Sequence, residues 1–549
     1  MAKLDMTPGA QIPRTDGGGP QTAVTQALAS VAYRDGELAD FVAKVQDGVT
    51  GKKARFKLLE PNLGEAYSKA VIARTLGVGR KPIVPSFGTE PRMVVEHCLA
   101  AEAVRDTRDR RLMLVTLLTG VLFLPGMLLW LGAFRLRYWL AADGKRREGL
   151  YGPLVLVLLL LVAAALAWHP PFTGLLGVYT RVVMLMPVVG WFIAKRICLL
   201  TVRELRARWT ETIDGGAVAV VPQAVPRNDQ DKRAAQLKTQ LTQLSLEQDT
   251  NVLHYAGVNG ILGLGKRWGS WEMVEDLKPA EGHEEFRSFN TWDLVKKITD
   301  RLNGLGRSHV GNGAVPNSSV EQWVIMEVGA GADEIGRPGG PDMDGPRMRD
   351  HAVASVANRQ GFGLDGPRHY LGTQFVLNQG RLIVSVLITV TVLSNTLRVS
   401  VNGHTLGPVA GAFHDKPKPK QISRAKTGKF WEEETIQLPL ISNDEVVRQA
   451  LRAPFLRSPG LLAYLGGTMK LPEPFGLRTA WATAPWNSRF MADDSMRITS
   501  PVVSAVLAAT VEFLADHDIN TDRFANRGLI LKSELQGVRP FRADVYDAG

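Results

Sequence analysis

The sequence predicts a membrane protein of mixed class, with a helical N-terminal domain, two to three apolar membrane helices and a C-terminal α+β domain. Long apolar runs are concentrated between Leu112 and Ala194. Apolar side chains recur at helical spacing before them, whereas short β-branched runs follow residue 250. The predicted organisation is a disordered tail at 1–20, a helical domain at 21–108, a membrane block at 109–200, a juxtamembrane helix and linker at 201–250, and a soluble α+β domain at 251–549.

The residues ahead of the membrane block are predicted to form helices. Three segments between residues 22 and 76 carry apolar side chains at helical spacing, and an extended, Pro-bounded link follows at 81–88. Thr89 is the expected N-cap of the next helix, which has Pro91 in its first turn. This helix runs directly toward the membrane block, so it can transmit orientation between the two.

The membrane block contains three apolar runs, at 112–134, 150–168 and 174–194. Each is near spanning length, because a helix needs about 20 apolar residues to cross the hydrocarbon layer. The first run has basic residues at both ends and Leu124-Pro125-Gly126 at its middle. It is predicted either to re-enter as a helical hairpin or to cross as an ordinary span. The second and third runs are predicted to form a hairpin, because the link at 169–173 lacks Lys and Arg.

The predicted location is the cell membrane, multi-pass, with both soluble parts in the cytoplasm. Lys and Arg flank every end of the runs except the tip at 168–174, as the positive-inside rule requires. The sequence has only two cysteines and begins with a polar segment that does not resemble a secretory signal, both of which favour a reducing compartment. Arg181 is either a functional intramembrane charge or a side chain that snorkels to the outer interface.

The C-terminal domain is predicted to contain a sheet. The strand candidates are 251–256, 322–328, 374–377, 382–393 and 397–401. The run at 382–393 is free of charge but too short to cross a membrane as a helix, so it is expected to be a buried central strand. A helix is predicted over Thr291–Leu302, stopped by Gly304, and a long Gly/Pro/Asp loop at 329–350.

The chain is predicted to turn helical again toward its end. Ser442 and Glu445 have the spacing of a capping box, and Ser500-Pro501 opens an apolar helical pattern. No internal repeat is found. The net charge of +11 lies largely beside the apolar runs, where it meets anionic lipid headgroups, so nucleic-acid binding is not expected.

One stretch partly resembles a phosphate-binding loop. Gly260, Gly265 and Lys266 occupy the required positions, but Arg267 stands where a Ser or Thr would hold Mg²⁺. Residues 267–274 then alternate as a strand does, whereas such a loop must open a helix. A glycine-rich turn between strands is the favoured interpretation, and no cofactor is predicted.

Other candidate sites are equally sparse. Asp342 and Asp344 could bind a divalent cation, but a solvated loop is favoured because the EF-hand spacing fails. The sequence contains no zinc-protease, Cys/His zinc or nucleophile-elbow motif, so an enzyme is not favoured. A basic tract could meet lipid phosphate or an acidic protein, or form a plain solvated loop. Its residues are Lys416, Lys418, Lys420, Arg424, Lys426 and Lys429.

Three patches resemble a group of uncharacterised actinobacterial multi-pass membrane proteins with large soluble flanking domains. They are Ile83-Val-Pro-Ser-Phe-Gly88, residues 251–277 with their tyrosine, glycines and tryptophans, and Val511-Glu-Phe-Leu-Ala-Asp-His-Asp-Ile-Asn-Thr521. None of the patches is a catalytic motif. The resemblance implies a similar layout and no particular activity.

The predicted function is a membrane-anchored interaction or scaffold protein that presents a large cytoplasmic domain to a protein partner or assembly. Long loops at 329–350 and 411–430 are candidate contact segments, because loops carry function more often than core elements do. A phage-tail-like contractile particle is one example of such an assembly. The expected partners are membrane lipid, a cytoplasmic protein and further copies of the chain. The alternatives are an oligomeric channel or transporter component and a nucleotide-binding membrane enzyme.

Overall fold

A computed structural model describes most of the chain between residues 21 and 537. The described residues are 21–45, 50–52, 54–56, 59–77, 79–142, 151–215, 221–222, 232–257, 260–307, 318–328, 335, 339–360, 366–417, 421–426, 429–437, 439–484 and 489–537. The tail predicted at 1–20 lies outside them, as do Lys418 and Lys420 of the basic tract.

The first half of the chain is helical. Its helices are α1 (Ala23–Ser30), α2 (Leu38–Lys44), α3 (Leu63–Leu76), α4 (Pro91–Val115), α5 (Leu124–Ala142), α6 (Tyr151–Trp168), α7 (Leu175–Val182), α8 (Met186–Asp214) and α9 (Lys232–Gln248). A short strand, β1 (Thr50–Lys52), lies between α2 and α3. The helical prediction for this half is confirmed.

The second half mixes strands and helices. Its strands are β2 (Val252–Tyr255), β3 (Lys266–Asp276), β4 (Ser318–Glu327), β5 (Met343–Asp344), β6 (Arg347–Met348), β7 (Arg368–Leu377), β8 (Leu382–Leu393), β9 (Thr396–Leu406), β10 (Gln421–Lys426), β11 (Lys429–Gln437) and β12 (Thr468–Lys470). Its helices are α10 (Thr291–Arg307), α11 (Asp350–Arg359), α12 (Asn443–Arg452), α13 (Pro459–Gly466), α14 (Arg489–Asp516) and α15 (Asp522–Gly537). The chain is therefore mixed helix and sheet, as predicted.

A six-stranded sheet organises the second half, in the order β2-β4-β7-β8-β9-β3. Strands β2 and β4 are parallel, and the other neighbours are antiparallel. Strand β8 lies inside the sheet between β7 and β9 and is buried along most of its length. Its prediction as a buried central strand is confirmed.

Both faces of the sheet are covered. Helices α10, α14 and α15 pack on one face, where residues such as Ile298, Val502 and Phe524 are buried against the strands. The link before α4 packs on the other face, and the rings of Phe87 and Trp323 are 5.7 Å apart. The sheet is thus joined to residues that precede the membrane block.

One large core contains residues from both sides of the membrane block. Helices α1 to α4 pack with α8, α9 and two later segments, 409–413 and 475–481. Its centre is a group of rings: Phe41 and Tyr67 come from before the block, and Phe413 and Trp481 from after it. Strand β1 also pairs with β12, from Thr50 opposite Lys470 to Lys52 opposite Thr468.

Arg478 connects this core to the sheet through hydrogen bonds. Its buried guanidinium donates hydrogen bonds to the carbonyl oxygens of Gly380, Arg381 and Gly407, at 2.9, 3.1 and 2.5 Å. Those carbonyls belong to the turn between β7 and β8 and to the end of β9. Such charge-assisted bonds are stronger than neutral ones, so the turn is fixed on the helical core.

Among the residues that the structure describes, two helices are long and apolar enough to cross a membrane by length and composition: Pro91–Ala133 and Phe490–Asp516. A bent pair, Leu175–Val182 with Met186–Asp214, passes the same test if counted as one span, and its bend is 44°. Phe490–Asp516 differs from the others, because its apolar residues pack on the sheet. In the apolar helices of the block, by contrast, many leucine side chains are exposed.

The apolar runs form helices whose breaks differ from those predicted. The first run does not turn back at Leu124-Pro125-Gly126: α4 continues through a π-helical turn (Thr116–Gly120) and a 3-10 turn (Val121–Phe123) into α5. The third run, predicted as one helix, is divided between α7 and α8. Pro187 is in the first turn of α8, where its missing N–H costs no hydrogen bond.

Two predicted helix starts need correction. The N-cap of α4 is Glu90 and not Thr89, and no side-chain hydrogen bond caps this helix. Pro501 lies inside α14, which begins at Arg489.

Three further predictions need correction. Helix α10 continues past Gly304 to Arg307, because a glycine weakens a helix by only about 1 kcal/mol and the helix packs on α14. The segment predicted as a loop at 411–430 begins with a 3-10 turn that buries Phe413 and then forms the β10–β11 hairpin. Part of the loop predicted at 329–350 forms the β5–β6 hairpin.

Candidate functional site

The candidate site is the junction between the apolar helices of the predicted membrane block and the large core. Helices α4 and α8 both pass from the apolar block into the large core, and α12 lies against them. Leu112, Cys198 and Val202 are buried there against Val446 and Ala453 of the C-terminal half. The Ser442 hydroxyl caps α12 by accepting a hydrogen bond from the backbone N–H of Glu445 (3.2 Å), which confirms the predicted cap.

A cavity of about 380 Å³ lies at this junction. Its walls are α4 with the irregular turns that follow, α5, the start of α8, and the α12 face that carries Val446, Val447 and Ala450. Leu160 of α6 also contributes to the wall. The volume is within the range of small-molecule sites, and apolar side chains dominate the lining, as in most such sites.

The irregular turns shape this cavity. Within the π-helical turn, the Thr116 hydroxyl donates to the carbonyl oxygen of Ala450 at 2.9 Å. The Thr119 hydroxyl donates to the carbonyl oxygen of Val115 at 2.8 Å. Gly190 allows α8 to approach closely, because a Cβ there would overlap the Thr119 side chain. Single π-helical turns are frequent at functional sites, so this distortion marks the junction as a candidate.

A buried ion pair holds α12 on the bundle beside the cavity. The Arg452 guanidinium bonds both carboxylate oxygens of Glu65, and Nη2 to Oε1 is 2.7 Å. Lys69 also reaches Glu65 at 2.7 Å. Burial alone would raise the pKa of Glu65, but attraction by Arg452 and Lys69 outweighs it and holds that pKa well below its usual range. The Glu65 carboxylate is therefore ionised, and both charges are paired.

A second polar cluster continues this contact. Asn62 donates from Nδ2 to Oε1 of Glu445 at 2.8 Å, and Arg448 bonds Glu445, Asn62 and the carbonyl oxygen of Glu60. Burial favours a higher pKa for Glu445, but Arg448 and the hydrogen bonds outweigh it and lower the pKa. Neither cluster is recognisable in the sequence, because the partners lie more than 380 residues apart in the chain.

The residues of the phosphate-loop candidate form a turn that leads into a strand. Gly260 and Gly265 have φ of +65° and +81°, and Lys266 is the exposed first residue of β3. A Cβ at Gly265 would overlap the backbone of Thr405 on β9. The glycine therefore serves close strand packing, and the helix N-terminus that such a loop requires is replaced by β3.

The other candidates lie apart from the junction. Asp342 Oδ1 is 3.6 Å from Nε2 of His351, both exposed, and Asp344 is opposite Arg347 in the β5–β6 hairpin. Within the described ranges, no group of three His, Cys, Asp or Glu side chains could hold a metal ion. Arg181 is exposed on α7.

The basic tract is spread over more than one element. Lys416 is exposed after the 3-10 turn, Arg424 and Lys426 belong to β10, and Lys429 begins β11. In the hairpin Arg424 is opposite Glu434 and Lys426 is opposite Lys429. The part of the tract that the structure describes therefore belongs largely to a hairpin and only in part to a loop.

The comparisons with known proteins concern the C-terminal half. No curated protein and no solved structure matches the chain. A segment of the second half matches a family model. It begins after the membrane block and includes α12 of the junction. That segment is residues 270–538, from β3 through α15, and it is similar to the AbeC-like domain.

Proposed function

We propose that this protein is a membrane-anchored interaction protein, which presents one rigid soluble module to a protein partner or assembly on the cytoplasmic side. The observation that carries the proposal is the core shared by residues before and after the membrane block. A module built from both flanks of the block can form only if both flanks are on the same side of the bilayer. The block would then cross the bilayer an even number of times, so one of its three apolar runs would not span it. The bent pair of α7 and α8 is the run whose shape also fits a re-entrant loop.

The distribution of charge supports a cytoplasmic module. Four arginines lie at 105–111 and five Lys or Arg at 195–208, on the two helices that enter the soluble core. The link at 135–147, at the opposite end of the first run, carries only five Lys or Arg. Lys and Arg near the ends of spans favour the cytoplasmic side. The side with more basic residues is the side of the module.

The helices that connect the block to the module support rigid presentation. Helix α4 extends over 25 residues and α8 over 29, and both are buried in the core at their soluble ends. Helix α12 from the C-terminal half packs across both at the junction. A continuous helix packed on its neighbours transmits position better than a flexible linker does. The module would therefore keep a fixed orientation to the bilayer.

Cysteine labelling tests the shared side. Both native cysteines are buried, so they should stay unlabelled by a membrane-impermeant maleimide. Asp40→Cys lies at an exposed position of α2, before the block, and Glu284→Cys on an exposed segment after it. We expect both to be labelled in inverted vesicles and neither in intact cells. Labelling of the two positions from opposite sides would contradict the proposal.

A site-specific photo-crosslink tests for a partner. The β10–β11 hairpin carries the basic residues predicted to meet an acidic protein. A photoreactive residue at Thr435 is expected to give a discrete protein adduct in cells, and the same residue at exposed Lys278, two residues after β3, should not. Arg424→Glu with Lys426→Glu should reduce the adduct. Equal adducts from both positions, or none, would argue against a partner at the hairpin.

A further inference from the structure

We infer that the junction cavity binds one acyl chain of a phospholipid drawn from the surrounding bilayer. The inference rests on the proposed function in one respect: the block must lie in a membrane. It adds a ligand and a site, neither of which anchoring requires. The evidence is the chemistry of the cavity wall, the surface onto which it opens, and the charge beside its mouth.

The cavity wall suits a hydrocarbon chain. Met127, Leu131, Val188 and Val446 are among the side chains that line about 380 Å³ of space. The two threonine hydroxyls of the wall are engaged with backbone carbonyls of Ala450 and Val115, as described above. Trp130 likewise donates its indole N–H to the carbonyl oxygen of Met184, at 2.9 Å. The indole N–H of Trp191 and the side chain of Asn443 are the other polar groups of the wall. With so few polar groups, a strongly polar ligand would lose most of its hydrogen bonds to water without regaining them.

The mouth of the cavity is continuous with the apolar outer surface of the block. Leu160 and Phe192 both line the cavity and are 52% and 61% exposed. Exposed leucines of α4 to α6 continue this surface on either side. Large exposed apolar surfaces mark membrane or partner contact. A chain from the adjacent lipid could therefore enter without crossing water.

The phosphate of such a lipid would meet a positive charge. Lys195 Nζ lies 4.8 Å from the ring centroid of Trp191, and this ring also lines the cavity. Arg196 follows on the exposed side of α8. A Lys at this place holds its charge at the polar boundary while its stem lies on apolar surface. The arrangement fits a chain in the cavity and a headgroup beside α8.

Filling the cavity tests the inference. The purified full-length protein is placed in phosphatidylglycerol vesicles that contain a trace phospholipid with a diazirine in its acyl chain. Val447→Phe adds a ring from the α12 wall, whereas Leu129→Phe adds the same ring on the exposed surface of α5. We expect Val447→Phe to lower photolabelling of peptides from α8 and α12 about tenfold. This factor corresponds to about two methylene groups of the acyl chain that are no longer buried in the cavity. Leu129→Phe should leave it unchanged.

The outcomes separate the site from general lipid contact. Labelling of α8 and α12 that is equal in both variants would show contact with bulk lipid only and overturn the inference. Because Val447→Phe could perturb folding, its thermal unfolding is compared with that of Leu129→Phe. A second variant, Ala450→Leu, fills the same wall with a smaller change. Failure of membrane insertion would remove labelling from every variant, which distinguishes failure of the proposed function from failure of this site.

Discussion

Trp481→Ala is expected to lower the free energy of unfolding by about 3–5 kcal/mol, the usual cost of deleting a large buried aromatic ring. Trp481 is only 1% exposed. Its ring centroid lies 5.1 Å from Phe413, 5.8 Å from Tyr67 and 6.3 Å from Phe41. The substitution removes the ring that joins residues from before and after the membrane block. We expect both parts to lose stability together.

Two probes measure this effect. Thermal unfolding in detergent gives the overall loss of stability. Limited proteolysis, with the fragments detected through tags at the N and C termini, shows which part of the protein opens. Phe490→Ala is the matched control, because Phe490 is aromatic but 79% exposed, and it should change stability little. If the C-terminal half became protease-sensitive while α1 to α3 stayed intact, the two parts would have independent cores.

Local features of the fold were predictable from the sequence. Strand β8 follows from twelve charge-free residues that are rich in β-branched side chains. Strand β3 follows from the alternation after Lys266, and the start of α12 from the spacing of Ser442 and Glu445. The helices of the apolar runs were predictable because the length and apolar composition of each run are enough to identify it. In each case the signal lies within a window of a few residues.

Long-range features were not predictable. The parallel pairing of β2 with β4 and the place of β3 beside β9 depend on contacts across the chain. Phe413 lies within a stretch rich in Gly, Pro and Lys that indicates a loop, yet it is buried because Phe41 and Trp481 surround it. The tertiary environment overrides local composition there.

The candidate site depends most on such contacts. The cavity wall combines α4, α5, α8 and α12, which no motif links in the sequence. Its π-helical turn at Thr116–Gly120 also lacks a sequence signal, although the nearby Pro125 suggested a break slightly later in the chain. A single sequence predicts where helices lie more readily than which of their faces meet.

Glu65→Ala is expected to destabilise the protein by about 3–5 kcal/mol, because it leaves the Arg452 charge buried without its partner. Both side chains of this pair are almost fully buried. Asp494→Ala is the matched control, since its partner Arg497 is 78% exposed and pairs open to solvent contribute at most about 1 kcal/mol. Thermal unfolding of the two variants in the same detergent gives the comparison.

The double variant Glu65→Leu with Arg452→Met separates charge from packing. Replacing both members of a buried pair by apolar residues of similar size is often neutral or stabilising, so the double variant should recover most of the loss. If it is as unstable as Glu65→Ala, the defect comes from lost shape between α3 and α12 and not from the unpaired charge.

The same pair predicts how stability depends on pH. The pKa of Glu65 is lower in the folded protein than in the unfolded chain, so its contribution is present at neutral pH and is lost as the pH falls below the ordinary carboxyl value. The unfolded chain then binds a proton that the folded protein does not. We expect the native protein to lose stability more steeply than the Glu65→Leu, Arg452→Met variant between about pH 5 and pH 3. Parallel curves over this interval would show that Glu65 does not carry the stabilising charge.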